Sequence, residues 1–243
     1  MSKITSCTIS SIENFVVDIY SPNKKHIIFW DTCSLLEIIR FLYRGGNVNS
    51  YKNLNSINKL IQRDEIYSIA STLTIKEWND NEAIVIDRFK NDLKLTSKYH
   101  KDSIETINEI NTTAYDSESI FDKNLTEDLI SLAESIILKT IFIETNDIAN
   151  KALDRVSYRR PPANKKNEFK DCAVWETMYL VCDKINQTKL QTDNYNFVFY
   201  TVNTDDFIDK SREPKIFHGS LLSEASVVNM ICCQKTEEVF ACF

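Results

Sequence analysis

Short apolar runs alternate along this chain with longer segments whose apolar residues recur every three or four positions. HIIFW (26–30), IYSIAST (66–72), IFIE (141–144) and NFVFYTVN (196–203) are the short runs. Their β-branched and aromatic content, bounded by polar residues, predicts buried strands. Between them the pattern predicts helices. One opens at Asp31–Thr32, has LLEIIRFL as its body and ends at Gly45–Gly46; a second covers 54–62. A long charged helix follows the second strand as far as about residue 111, with Val85, Phe89, Leu93, Ile104 and Ile107 as its apolar positions. Further helices are expected at 125–140, 147–157 and 171–185, the last with a stripe through Val174, Met178, Val181 and Ile185.

Strands alternating with helices predict an α/β fold with a largely parallel sheet. The helical stretch at about 76–140 reads as an elaboration within one domain covering residues 1–243. Cys232–Cys233 and the terminal FACF read as late packing elements. Trp78 and Trp175 are expected in the core.

Composition narrows the classes. Of 243 residues, 43% are hydrophobic and 26% charged, an ordinary globular balance. Three glycines and four prolines leave little room for flexible linkers. The net charge of −6 argues against a tight nonspecific coat on DNA, although metal ions or a local basic patch can still meet phosphates. Seven cysteines without a C-x-x-C pair, and only three histidines, give a zinc site little support. Reduced thiols in a cytoplasmic protein are expected. No signal-peptide order appears, and no apolar run approaches the roughly 20 residues that span a bilayer, so no membrane association is expected.

Acids stand where the strands end. Asp31 follows the first run and opens a helix. Glu77 follows the second, and Thr74–Glu77 fits a capping box. Asp171 opens the helix after a basic loop, YRRPPANKKNEFK. Asn203, Asp205 and Asp206 follow the last run. In a parallel α/β sheet these positions share one rim, where ligand sites form. Helix capping, the helix dipole and turn formation are the competing explanations for each acid taken singly. Jointly, carboxylates that converge cannot all ionise without cations, and hard oxygen donors suit Mg²⁺ or Mn²⁺.

In order, IIFWDTCSLL, SIASTLTIKEW, FKDCAVWETMYL and VFYTVNTDDF resemble the motifs of PIN-domain nucleases, over residues 26 to about 210; the last two, with the proline-containing loop before them, look closest to a larger bacterial PIN-like subgroup. The resemblance implies a three-layer α/β/α fold and Mg²⁺- or Mn²⁺-dependent hydrolysis of phosphodiesters. RNA is the implied partner, with DNA as the alternative. Asp31, Glu77 and Asp171 match the family's metal ligands, and Asp206 matches its last acid. Asn203 stands where common members have an acid, which leaves open whether one or two metals bind. Asp205 is a neighbour that could substitute as a ligand.

Thr32 and Thr201 flank these ligands as candidate hydrogen-bonding and substrate-side residues. Arg159, Arg160, Lys165 and Lys166, with Lys170, are candidates for the RNA backbone. Glu176 faces away from Asp171 around the helix and is left out of the site.

Three readings follow. The first is an endoribonuclease, acting in RNA turnover or as a toxin-like or defence effector. The second is a catalytically weak PIN-like module that binds RNA or a partner; a homo-oligomer or a protein partner is compatible with either reading. The third is a phosphatase with Asp31 as nucleophile; Cys33 stands where the second Asp of that chemistry belongs and counts against it.

Overall fold

The structure is a computed structural model and describes residues 7–44, 46–119, 123–146, 148–188 and 195–243. In chain order, β1 (Thr8–Ser10) leads into α1 (Ile12–Asn14), which widens to a π-helical segment over Phe15–Tyr20. Next come β2 (His26–Trp30), α2 (Thr32–Arg40) with a 3₁₀ extension at Phe41–Arg44, α3 (Val48–Gln62) and β3 (Ile66–Ser71). Helices α4 (Thr72–Asn111) and α5 (Leu125–Lys139) form the crossover to β4 (Ile141–Ile143). Then follow α6 (Ala149–Ser157), α7 (Phe169–Gln187) and β5 (Phe197–Tyr200). A small hairpin of β6 (Ile208–Asp209) and β7 (Ile216–Phe217), then α8 (Gly219–Val227), β8 (Met230–Cys233) and α9 (Thr236–Phe240), complete the chain.

Six strands form one parallel sheet in the order β1-β4-β3-β2-β5-β8. Strand side chains alternate between its two faces and both faces are covered, which explains why the central strands are mostly apolar. Ile28, Trp30, Ala70, Val198 and Tyr200 face the layer of α2, α3, α4 and α5. Ile27, Phe29, Ile69, Phe197 and Phe199 face α7, α8 and the π-helical segment. Helices on both faces make the three-layer α/β/α sandwich. Each fully buried side chain of this size contributes roughly 1.5–3 kcal/mol. Truncating a central one, such as Phe29→Ala, would cost about 3–5 kcal/mol because a cavity remains.

The strands expected at 26–30 and 141–144 form, the latter ending at Ile143, and those expected at 66–72 and 196–203 form within their limits. The long helix ends at Asn111, as its periodicity indicates. The helix expected at 54–62 begins six residues earlier, at Val48, because the Asn47 side chain accepts from the Asn49 and Ser50 amides and caps it. Gly45 and Asp147 lie outside the described residues. Gly46 does close the α2 segment: its N–H reaches the Phe41 carbonyl at 2.8 Å, and a Cβ there would meet that oxygen at 2.6 Å.

Cys232 and Cys233 pack against the two core layers as expected, and do so as part of β8, an edge strand paired with β5. One expectation needs correction. The capping box at Thr74–Glu77 does not form. Ser71 is the N-cap, its hydroxyl accepting from the Leu73 amide at 3.1 Å, and Thr74 already lies inside the helix, buried and with its hydroxyl unpartnered. Glu77 therefore falls in the second turn, beyond reach of a cap.

Candidate active site

Chain direction creates the site. From β2 the chain proceeds to β3 on one side, and β5 later fills the other. The crevice outside the carboxyl ends of β2 and β5 is thus a topological switch point, where α/β sheets bind ligands. Asp31 is the first residue after β2 and Thr201 the first after β5. Ser34 stitches these ends together, its hydroxyl donating to the carbonyls of Asp31 (2.7 Å) and Tyr200 (3.1 Å).

Asp31 is 1% exposed. Its backbone is extended, as at an N-cap, yet its carboxylate makes no capping hydrogen bond. Instead Oδ2 accepts from the Thr201 hydroxyl at 2.6 Å. Burial pushes its pKa up. The Thr201 bond pulls it down, the Glu77 charge raises it, and the nearby Thr32 and Cys33 amides lower it; the net direction is up. The Thr32 and Cys33 amides act on the carboxylate as at a cap, but no capping hydrogen bond is formed, so capping accounts for this carboxylate only in part.

Asp171 occupies the first turn of α7 and is half-buried. Burial raises its pKa, and the charges of Asp31, Asp206, Glu77 and Glu168 add to the rise. The charges of Asp31, Asp171 and Glu77 also act on the Cys33 thiol, which burial first of all holds far above the ordinary thiol range. A thiol so placed stays neutral and is no nucleophile.

Glu77 reaches the group from α4. Its Oε2 accepts from the Thr32 hydroxyl at 2.7 Å, and its Oε1 pairs with the Lys170 ammonium at 2.8 Å. That bond to Glu77 raises the Lys170 pKa.

The loop after β5 behaves differently from its neighbours. Asn203 forms a turn: its Oδ1 accepts from the Asp205 amide at 3.2 Å and its amide nitrogen donates to Asp206 at 3.0 Å. Its backbone N–H donates to Thr201 at 3.0 Å. A relay thus runs from Asp206 through Asn203 and Thr201 to Asp31. Asp206 is buried, whereas Asp205 is exposed and paired with Lys210. Asp171 feels the charges of Asp31, Asp206 and Glu77, which places these four acids around one region, while Asp205 stays outside it.

The basic loop divides. Lys165 approaches the Asp205 carbonyl at 3.4 Å, and Lys165 and Lys166 help Lys210 keep the Asp205 carboxyl below its ordinary range. Lys170 enters the acid cluster itself. Arg160 stacks over the exposed Tyr158 ring, and Arg159 adopts a left-handed turn after α6.

A family model for the PIN domain matches residues 28–207. The chain belongs to the PIN-domain family. PIN domains are generally nucleases that bind nucleic acid and typically use divalent metals. Comparison with curated proteins and with solved structures gives no match.

In this PIN domain the acids suit a hard divalent cation by donor type, since all are carboxylate oxygens. The fit shows in Asp31 and Asp171, both pushed toward the protonated form by burial and by neighbouring acids; a cation between them would relieve both. The cluster is open: among the described residues, no three Asp, Glu, His or Cys side chains already stand close enough to hold an ion. Lys170 occupies part of the space by pairing with Glu77. A cleft of about 850 Å³ adjoins this PIN-domain site and is separate from it. It runs from Ser34 and Tyr200 toward Leu54 and Glu237, and none of the four acids lines it.

Three contributors escape a reading of the sequence. Ser34 is a serine in the first turn after Asp31, and that spacing is a usable signal. Lys170 reads as part of the basic loop; its adjacency to Asp171 gives no hint that it serves Glu77. Arg155 is 3% exposed and bonds Glu176, Glu224 and the Pro161 carbonyl, fastening the basic loop to α7 and α8. Nothing in its surrounding sequence marks it. Glu176, set aside from the site on helical spacing, is accounted for by this pairing.

Proposed function

We propose that this PIN domain is a Mg²⁺- or Mn²⁺-dependent endoribonuclease that hydrolyses RNA phosphodiester bonds. One observation carries the reading: the Asp31 carboxylate is buried at the switch point, makes no formed capping hydrogen bond, and lies within reach of the charge of a second acid, Asp171. Burying charge in this way is costly without a cation.

Asp31 and Asp171 would hold the metal directly. Glu77 would bind it or orient its water once Lys170 is drawn away, and Asp206 would complete the acidic wall. Asn203 contributes through the turn that positions Asp206 and Thr201. When bound, a divalent cation offsets the phosphate charge and lowers the pKa of the attacking water. Thr201 fixes the Asp31 rotamer. Lys170 lies where a phosphate oxygen could replace Glu77 as its partner, and Lys165 and Lys166 extend the positive charge outward.

The seven cysteines are free, in keeping with a reducing cytoplasm. Among the described residues, no helix is long and apolar enough to cross a membrane.

A second reading, a catalytically weak RNA- or partner-binding module, has its own support. Asn203 replaces an acid, and Glu77 is neutralised by Lys170. Chelated protein titrated with Mg²⁺, Mn²⁺ or Ca²⁺ against labelled RNA and DNA separates the two. Metal-dependent internal cleavage of RNA supports the nuclease. RNA binding without cleavage at any metal concentration supports the module, and DNA cleavage alone would replace the substrate assignment.

A further inference from the structure

The last buried residue of α4 is Leu93, yet the helix continues to Asn111. At 1.5 Å per residue, roughly 27 Å of helix projects beyond the body. The returning chain covers one side of this arm: the Asn108 side chain bonds the Tyr115 backbone and Thr113, and Ser97 bonds Ser119. Another side stays bare. Leu95 (49% exposed), Tyr99 (62%), Ile107 and Ile110 (73%) project there. At 100° per residue they fall in one sector, and the other arm residues in that sector are Thr96, Ser103 and Thr106. The sector carries no charge.

The flank beside it is charged in an ordered way. From 94 to 101 the arm has lysines and no acid; from 102 to 111 it has acids and no lysine or arginine. Lys98, Lys101, Asp102, Glu105 and Glu109 are all exposed and lie along this one flank. Among the described residues, the weak exposed pair Lys101–Glu105 (3.7 Å) is the one ion pair that uses these charges.

We propose that the α4 arm is a homodimerisation element that packs antiparallel against the same arm of a second copy. A two-fold axis near the peptide between Lys101 and Asp102 sets like flank beside like flank with direction reversed. Lys98 then faces Glu105 of the other copy, and Lys101 faces its Asp102. Ile107 and Ile110 of one copy pack against Leu95 and Tyr99 of the other. This is an isologous contact, self-complementary in charge and shape class, and it closes without leaving a repeat to polymerise. Antiparallel helices with apolar seams and charged flanks select orientation in this manner. A second copy is favoured over an RNA strand because the arm's acidic half would repel phosphates.

The test is sedimentation velocity of the full chain, without RNA, across a concentration series and at two salt concentrations. The expected result is a reversible dimer. Lys98→Glu should weaken it about tenfold or more, because the symmetry places the like-charge contact twice. Glu105→Lys should do the same, and the two together should restore the dimer. Tyr99→Asp with Ile110→Asp should abolish it while circular dichroism stays native, since both side chains are exposed. A monomer at every concentration overturns the proposal, even if the arm is then found to bind RNA. A dimer indifferent to the charge exchange and to the apolar substitutions also overturns it.

Discussion

The Thr201 hydroxyl donates to the Asp31 carboxylate across 2.6 Å, and this bond joins the ends of the two strands that flank the switch point. It is the one side-chain hydrogen bond seen on the Asp31 carboxylate among the described residues. Thr201→Val keeps the shape and removes the donor. Hydrogen bonds to charged groups are worth about 1.5–3 kcal/mol, so a loss of that order is expected in urea denaturation. Cation affinity should fall about 10–100-fold, the usual result of losing a partner that orients a ligand. Calorimetric titration of Mn²⁺ checks this. Thr201→Ser should retain both properties.

The pH dependence of the metal-free protein follows from Asp31 and Asp171. Both carboxyls are harder to ionise in the folded protein than in the unfolded chain. Below the unfolded value of about 3.9 both states are protonated and the contribution is fully present. As pH rises above it, the unfolded chain releases these protons first, so stability falls through neutrality until the folded groups ionise too. The melting temperature in chelator should therefore drop from weakly acidic to alkaline pH. Asp171→Asn should flatten that slope, and Mn²⁺ should raise the curve most at its alkaline end by binding the folded state. Melting curves across pH, with and without Mn²⁺, test all three statements.

Arg155 makes a different prediction. Burial opposes its charge, but Glu224 and Glu176 outweigh burial and raise its pKa. Glu224 also accepts from the Trp175 indole at 2.8 Å. Arg155→Met leaves Glu176 buried without its cation and should cost about 3–5 kcal/mol. Combining it with Glu176→Leu should recover much of that loss, because the uncompensated charge goes as well. Denaturant midpoints for the single and double variants measure the coupling.

The basic loop should act on affinity more than on turnover. Lys165 and Lys166 lie beside the Asp205 loop, while Arg160 stacks on Tyr158 and Arg159 is exposed. Changing both lysines to Gln should weaken RNA binding and lower its salt slope by about 0.7 for each phosphate that is no longer neutralised. Changing both arginines should do less. Binding isotherms over a salt series separate the two pairs.

Much of this architecture is legible in the chain. Asp31 is visible because an apolar strand ending in an acid is unusual, and Asp171 because a helix start after a proline loop is sharply marked. Glu77 is legible as an acid but looks like half of a cap. Local spacing favours a box with Thr74, and only the tertiary position of Ser71 as N-cap removes it. The strands β1 and β8 escape because each is short: β1 has three residues, two of them polar, and β8 has only four, MICC, half of them cysteine. The separate fates of Asp205 and Asp206 are not legible: adjacent residues in a turn point opposite ways, and Lys210 and Asn203 decide which is which. Pairings such as Lys170–Glu77 and Arg155–Glu224 span 93 and 69 positions by their numbers, and sequence spacing carries no trace of them.

The most direct test compares wild type with Asp31→Asn in a labelled-RNA cleavage assay titrated with Mg²⁺ and Mn²⁺. Circular dichroism and melting in chelator confirm that the variant folds. The account predicts metal-dependent internal cleavage by the wild type. The folded variant, isosteric and still able to meet the Thr201 hydroxyl, should lose that cleavage while melting at the same temperature or higher. Full cleavage by a properly folded Asp31→Asn protein, or wild-type cleavage that persists in excess chelator, would contradict the claim that Asp31 holds the catalytic cation.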